Sequence, residues 1–316
     1  MKNPIVHIVI VSYNGKENLK FSLPTLLNQD YDNFKIFIAD NNSTDGTKEW
    51  LSENYPEVYF LNQNQNIGMA AMNEVLTWPK ENGIEEEADY IFVAGWDLKF
   101  EPRTIKHSVE VMKDNPVIGV LGYEVIGLFE WADPSELEEK AKEWKESNYY
   151  DTNWVPGACS FYNKRLLDHI GFLDPVYFAY AEEDDLQYRV KQSGFRTVII
   201  NTYCWQDVRV GVIPKENACF LNFRNTMRFC IKKNHVFFGM RVAISLLNTA
   251  CNPFVKLDLS NRVNQRRRPF GLLKNLKIWL RAFLWNIINI PQTLTARKET
   301  IQQINFGKHY FNKVSK

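Results

Sequence analysis

FKIFIADNNSTDGT, residues 34–47, decides the fold. An apolar run stops at Asp40, and the chain then turns through polar residues towards a helix. In open α/β sheets that carboxyl edge of the strands is where ligands bind. The competing reading is a turn with a helix cap, which accounts for Thr44, Asp45 and Gly46. It does not account for a carboxylate placed directly at a strand end. There Asp40 can accept a hydrogen bond from a base N–H or a ribose hydroxyl, so it is read as part of a nucleotide site.

Outward from this stretch, strands alternate with helices. Residues 5–11 (IVHIVIV) are a β-branched run entering the turn Ser12–Tyr13–Asn14–Gly15. Leu19, Leu23, Leu26 and Leu27 have helical spacing over 16–28. A helix is expected from Thr44 or Asp45 to about residue 54, strands over 58–61 and 90–94, and a helix over 69–78 between them. Further on, helices are expected over 103–113, 134–145 and 163–170, strands over 118–123 and 197–200, and a loop becoming a helix over 178–192. Such alternation predicts a mostly parallel sheet flanked by helices.

Composition narrows the class. A chain of 316 residues with 45% apolar and 14% aromatic side chains buries a large core and is not disordered. The net charge of +1 hides an asymmetry: residues 1–223 carry 20 Lys and Arg against 35 Asp and Glu, and residues 224–316 carry 18 against two. An acidic body with a basic tail points to an anionic partner. Five cysteines without a CxxC pair suggest neither a disulfide framework nor a zinc site and fit a reducing cytoplasm. No signal-peptide core and no clean transmembrane span is expected.

Three other constellations could carry chemistry. Asp97 closes the strand YIFVA; it is either a cap for the next segment or a ligand for a divalent cation on a diphosphate. Glu182, Glu183, Asp184 and Asp185 are either a solvated helix start or a site, and crowded carboxylates hold protons more tightly, which suits a general base. Asp185 and Arg189, four apart, can simply pair. Trp154, Gly157 and Ala158 suggest a close-packed loop beside a ligand, with a core indole as the plainer reading.

Together these pieces resemble family 2 glycosyltransferases of the GT-A fold, in the rhamnosyltransferase-like branch. VIVSYNG, LLNQDYDNFKIFIADNNSTDGT, NQNIGMAAMNEV, FVAGWDLKFEP and GFLDPVYFAYAEEDDLQYRVKQSGF carry the resemblance, over about residues 5–205. It implies an inverting transfer of a sugar from a UDP- or dTDP-sugar to a hydroxyl of a glycan or lipid-linked acceptor, in bacterial surface polysaccharide synthesis. Ser12, Tyr13 and Asn14 would line the nucleotide, Asp40 would bind the base, and Asn42, Asn66 and Gly68 would shape the ribose and diphosphate region. Asp97 would hold the diphosphate with Mg or Mn as the divalent cation. Trp154, Gly157, Ala158 and Glu182 would form the sugar and acceptor pocket. Glu183 falls on the general-base position, with Asp184 an adjacent competitor. The sequence departs from the pattern at Gly95, at Glu183 where Asp is usual, and in lacking a His after the last strand. A degenerate GT-A-fold sugar-nucleotide-binding or scaffold protein without turnover is therefore the alternative.

The expected organisation is a GT-A domain over 1–215 and a helical, basic, aromatic-rich region over 216–316. In residues 224–316, Arg and Lys alternate with Trp, Phe and Leu at helical spacing, which suits a helix lying in an anionic membrane interface. Lys277 and Arg281 interrupt the most apolar run and argue against spanning. The plainer reading is a helical subdomain packed on the catalytic domain. The expectation is a cytoplasmic protein, peripheral on the inner face of the membrane, with no nucleic-acid partner.

Overall fold

The structure, a computed structural model, describes residues 3–127, 149–206, 215–251 and 270–315. The helix expected over 134–145 lies outside them, as do Arg262 and the arginines at 266–268. Four strands form the first half of the sheet: Val6–Ser12 (β1), Phe34–Asp40 (β2), Tyr59–Asn62 (β3) and Tyr90–Ala94 (β4). They pair in parallel, and the β1–β2 register runs from Val6 opposite Phe34 to Ser12 opposite Asp40. Both strands thus end side by side at one edge. Helices Lys16–Leu27 (α1) and Thr47–Asn54 (α2) follow β1 and β2.

The second half departs from the parallel expectation. It contains Leu98–Phe100 (β5), Ile118–Gly127 (β6), Tyr149–Asp151 (β7), Cys159–Asn163 (β8) and Arg196–Gln206 (β9). The sheet order is β3-β2-β1-β4-β8-β6-β9-β5, with β7 pairing β9. β8 runs antiparallel to both β4 and β6, β5 and β7 run antiparallel to β9, and only β6–β9 is parallel.

The strands are apolar on both faces, as a doubly covered sheet demands. Ile8, Ile10, Ile36, Ile38 and Phe92 face α1 and the helix Thr104–Asp114 (α4). Val9, Phe37, Ile91 and Val93 face the Gly68–Leu76 segment and the helices Lys164–Ile170 (α5) and Glu182–Gln192 (α6). The expected helix over 69–78 is instead a 3₁₀ segment, Gly68–Leu76, followed by the short helix Trp78–Glu81 (α3). Its ends are tied elsewhere: Met69 N–H donates to the Phe178 carbonyl at 2.7 Å, and Asn73 exchanges two hydrogen bonds with the Leu173 backbone at 2.9 and 3.0 Å.

Four helices follow: Lys215–Lys233 (α7), Val236–Cys251 (α8), Leu272–Ile288 (α9) and Ile290–Val314 (α10). Phe220, Phe223, Met227, Leu246 and Ile278 build a separate apolar cluster against Ala179 and the partly buried Phe178 and Tyr180. α10 returns to the sheet domain, where Tyr310 stacks on His169 at 4.7 Å and Phe311 meets Phe195 at 5.2 Å. Among the described residues no helix is long and apolar enough to cross a membrane.

Candidate active site

At the β1–β2 edge Ser12 and Asp40 are each 1% exposed. The Asp40 carboxylate accepts from the Ser43 backbone N–H at 2.7 Å and the Ser43 hydroxyl at 2.6 Å. The turn explanation set aside for Asp40 therefore holds at its carboxylate as well: an Asp at a strand end closes the turn three residues on. Asn14, at φ 51°, accepts from Thr44 N–H at 2.8 Å, and its own N–H donates to the Ser43 hydroxyl at 2.8 Å. Helix α2 begins at Thr47, later than expected, after Gly46 in left-handed backbone, and Asp45 ties its start to that of α1. Asp45 accepts from the Thr47 hydroxyl at 2.5 Å and from the Lys16 N–H at 3.0 Å. Burial alone would raise the Asp45 carboxyl, but the hydrogen bonds from Thr47 and Lys16 bring it below the usual range.

Asn41, passed over in favour of Asn42, is the residue that joins this edge to the next loop. It is 1% exposed, donates to the Gly68 carbonyl at 3.1 Å and accepts from Ile67 N–H at 2.9 Å. Asn42 is exposed, at φ 65°, with a 3.5 Å contact to the Asn64 carbonyl. Asn66 accepts from Gly68 N–H at 2.9 Å, which shapes the loop from within. Gly68, at φ 67°, has no room for a side chain, since a Cβ would stand 2.1 Å from the Phe178 carbonyl oxygen. The loop after β3 and the loop entering α6 thus touch backbone to backbone. Tyr13 is half-buried beside this edge.

A second chain of contacts links the remaining candidates. Gly15 lies under the Trp96 ring, 2.1 Å from where its Cβ would stand, so the Gly95–Trp96–Asp97 turn rests on the first loop. Gly95 N–H donates to the Ala158 carbonyl at 2.7 Å. The backbone of Gly157, next to it, abuts Glu183, whose Cβ and Cγ would be 2.9 and 3.0 Å from a Cβ at 157. Gln187 holds this stretch on α6, bonding Val155 N–H and C=O at 2.9 Å each. Trp154, half-buried, precedes the pinned residue, and its carbonyl accepts from Thr152 at 3.0 Å.

Strand β9 extends to residue 206 rather than stopping near 200, and Gln206 stands opposite Leu98. Its amide donates to the Asp97 carboxylate at 2.9 Å, at the place where the sequence offers no His. At Gly95 a Cβ would lie 2.8 Å from Asp97 Oδ1, so the Asp97 carboxylate occupies the space a first-position side chain would need. Among the described residues no group of three His, Cys, Asp or Glu side chains could hold a metal unaided. The donor set fits a hard cation shared with a diphosphate, which needs only one or two carboxylates beside phosphate oxygens.

The acidic run does not act as one cluster, because successive helical residues point about 100° apart. Glu182 is 8% exposed, Glu183 and Asp184 are half-buried, and Asp185 is 1% exposed. Asp185 faces away from Gly157 into a buried ion network. It pairs with Arg189 at 3.1 Å and Lys232 at 2.8 Å, and Lys232 and Arg228 pair with Asp174 at 3.0 and 3.1 Å. Burial pushes the Asp174 carboxyl up, but Lys232 and Arg228 outweigh it and hold the group at about 2. Arg189 also donates to the carbonyls of Ile170, Gly171 and Phe172. Two cations of the basic tail are thus internal, at 1% and 5% exposure, and do not face a partner.

The loop entering α6 is strained. Phe178, Tyr180 and Ala181 stand at φ of 65°, 69° and 69°. Each such non-glycine residue costs of order 1–3 kcal/mol, and such residues gather where geometry is functional. Nothing in the sequence signalled this.

The family model for glycosyl transferase family 2 matches residues 7–171. The N-acetylglucosaminyl-diphospho-decaprenol L-rhamnosyltransferase of Mycobacterium tuberculosis is 24% identical over 226 residues, covering 62% of this chain and 73% of the relative. Two solved structures share the fold. A mannosyltransferase from Pyrobaculum calidifontis in complex with GDP-Man and Mn2+ superposes with a TM-score of 0.54 at 14% identity, over 100% of this chain and 89% of that one. S. aureus TarS 1–349 in complex with UDP-GlcNAc superposes with a TM-score of 0.55 at 14% identity, over 98% and 92%.

Proposed function

The chain belongs to glycosyl transferase family 2 and is a glycosyltransferase; on that premise we propose that it moves a sugar, with inversion, from a UDP- or dTDP-sugar to a hydroxyl of a glycan or lipid-linked acceptor in bacterial surface polysaccharide synthesis. The observation that carries the reading is the Glu183 side chain against Gly157, at the end of a contact chain that runs through Ala158 and Gly95 to Asp97. A proton acceptor and a diphosphate-holding carboxylate then stand on either side of one loop. The Mycobacterium relative, whose name specifies a diphospho-decaprenol acceptor and a rhamnosyl donor, supports the lipid-linked acceptor and the deoxyhexose.

In this reading the Asp40–Ser43 turn, Asn14 and the Asn41-stapled loop receive the nucleotide, and Asp97, oriented by Gln206, faces the diphosphate. Mg2+ or Mn2+ would be held there by Asp97 together with the diphosphate oxygens; bound, it would neutralise charge on the leaving group. Glu183 takes the proton from the acceptor hydroxyl. The oxygen attacks the anomeric carbon opposite the leaving group, the carbon–oxygen bond to the diphosphate breaks, and the nucleoside diphosphate departs with the electron pair. Attack from the opposite face inverts the anomeric configuration.

An anionic membrane surface is the partner assigned to residues 224–316. Its support is the outward stripes of α8 and α9: Phe237 and Ile244 are 80% and 67% exposed, and Leu273 and Ile288 are 76% and 75% exposed. Neither helix contains an acidic residue, and Arg241, Lys277 and Arg281 lie among the exposed apolar groups.

The test is a thermal-shift screen of nucleotide sugars, followed by an assay of nucleoside diphosphate release with Mn2+ and with EDTA. The donor should raise the melting temperature by mass action, and release should require an acceptor. If GDP-sugars alone stabilise the chain, the UDP or dTDP assignment fails; if EDTA leaves release unchanged, the metal assignment fails.

A further inference from the structure

Between the turn Pro175–Tyr177 and α6, three of four residues adopt positive φ without being glycine, Phe178 at the centre of a tight turn in which Ala179 N–H donates to the Tyr177 carbonyl at 2.8 Å. Such a loop persists only when its surroundings over-determine it. One side chain does most of this. Asn225 of α7, 0% exposed, sets Nδ2 at 2.9, 2.7 and 2.7 Å from the carbonyls of Tyr177, Ala179 and Tyr180, its two N–H groups shared among the three acceptors. Its Oδ1 accepts from Arg224 Nε at 2.7 Å, and Arg224 Nη2 donates to the carbonyls of Val176 and Tyr177 at 2.8 Å each. From its other side the loop is held by Met69 N–H on the Phe178 carbonyl. At its end the Ala181 carbonyl accepts from Asp185 N–H at 3.0 Å, which closes the first turn of α6. The Tyr180 carbonyl and the Glu183 side chain are therefore separated by two residues of fixed backbone.

We propose that Asn225 is a positioning residue for sugar transfer: by gathering three carbonyls of this loop it fixes where α6 begins, and so where Glu183 meets Gly157 and the acceptor. The proposal rests on Glu183 acting as the base. It gives residues outside the nucleotide-binding edge a direct part in the geometry of transfer. An uncharged amide is the group required: its NH2 faces carbonyl oxygens while its oxygen faces Arg224 Nε, and a carboxylate of the same shape would set an oxygen against those carbonyls.

The experiment uses the full chain with Asn225→Asp, isosteric but unable to donate; Asn225→Ser, which keeps one donor; and Ile231→Ala, which hollows the same helix at a residue 5% exposed that packs on Gly239 of α8. Steady-state transfer, UDP or dTDP affinity by calorimetry, and melting temperature are measured for each. The expected result is a kcat at least tenfold lower in N225D with nucleotide Kd within threefold, an intermediate kcat in N225S, and a kcat within twofold of wild type in I231A despite a comparable fall in melting temperature. N225D with kcat within twofold, or I231A losing as much kcat as N225D, overturns the proposal. If N225D does not fold, N225S decides in the same terms, and an unchanged kcat overturns it. Glu183→Gln separates the two readings. Normal turnover in E183Q removes the base and the proposal with it, whereas an inactive E183Q beside a fully active N225D removes the proposal alone.

Discussion

At the level of single residues, the acidic run divides its work by the pitch of a helix. Glu183 and Asp185 lie two positions apart, so one reaches the Gly157 loop and the other the buried cations. Glu183→Gln should lower kcat by about 10²- to 10⁴-fold, the usual worth of a positioned general base, with nucleotide affinity unchanged; Asp184→Asn should change kcat less than fivefold. Steady-state kinetics on both variants decides between them, and the reverse pattern moves the base to Asp184. Gly157→Ala should cost at least tenfold in kcat, because its Cβ would stand 2.9 Å from the Glu183 Cβ and displace that side chain. Asp174 makes its own pH prediction. Its folded carboxyl titrates at about 2, below the unfolded value of about 3.9, so its contribution is present above about pH 4 and is lost as pH falls towards 2. Asp174→Asn should lower stability by about 3 kcal/mol at neutral pH, the cost of leaving buried cations uncompensated, and should flatten the acid limb of the denaturation profile. An unchanged acid limb would remove Asp174 from the account.

At the level of elements, the strands of the first half were legible because each is a continuous apolar run bounded by turn residues. The Ser12–Gly15 and Asp40–Thr47 turns followed from the same pattern. The 3₁₀ segment Gly68–Leu76 was not legible: its apolar spacing suits an α-helix, and the bonds from Phe178 and Leu173 that hold its ends come from about 100 residues away. The length of β9 was hidden for a similar reason. Thr202–Tyr203–Cys204–Trp205 is strand-prone, but Asn201 interrupts the apolar run before it; pairing with β5 and β6 carries the strand past this break, with a register shift there, and brings Gln206 to Asp97. Gln206→Ala should weaken nucleotide-sugar binding about three- to tenfold by freeing the Asp97 carboxylate, an effect of about 1 kcal/mol. Calorimetry with the donor measures it, and unchanged affinity would make the contact incidental.

At the level of the whole molecule, the basic tail has two faces. Its inner face completes the sheet domain: Arg228 and Lys232 neutralise Asp174 and Asp185, and α10 sets Tyr310 on His169 of α5 and Phe311 on Phe195 before β9. Truncation after residue 289 should therefore yield an unstable, aggregating chain, seen as loss of a cooperative thermal transition; a soluble truncated form with wild-type melting temperature would contradict the packing. Its outer face keeps large apolar side chains in water, and it is the surface proposed above to meet an anionic membrane. Liposomes containing anionic lipid should bind the full chain, with binding weakened by salt. Ile244→Asp with Leu273→Asp should reduce that binding at least tenfold while preserving the melting temperature, since both residues are exposed. Flotation assays read both, and equal binding by the double variant would exclude this surface.

The sequence by itself determined the α/β alternation, the strand-end placement of Ser12, Asp40 and Asp97, the acidic start of α6 and the charge division of the chain. Each is written in local patterning, where period, turn chemistry and composition act over a few residues. Only the tertiary structure decided which acid faces Gly157, that Asp40 closes its own turn on Ser43, that Asn41 and Asn225 hold the loops, and that Arg228 and Lys232 of the tail are internal. Those outcomes depend on contacts between residues tens of positions apart, and a helix turning 100° per residue sends neighbouring carboxylates to opposite fates.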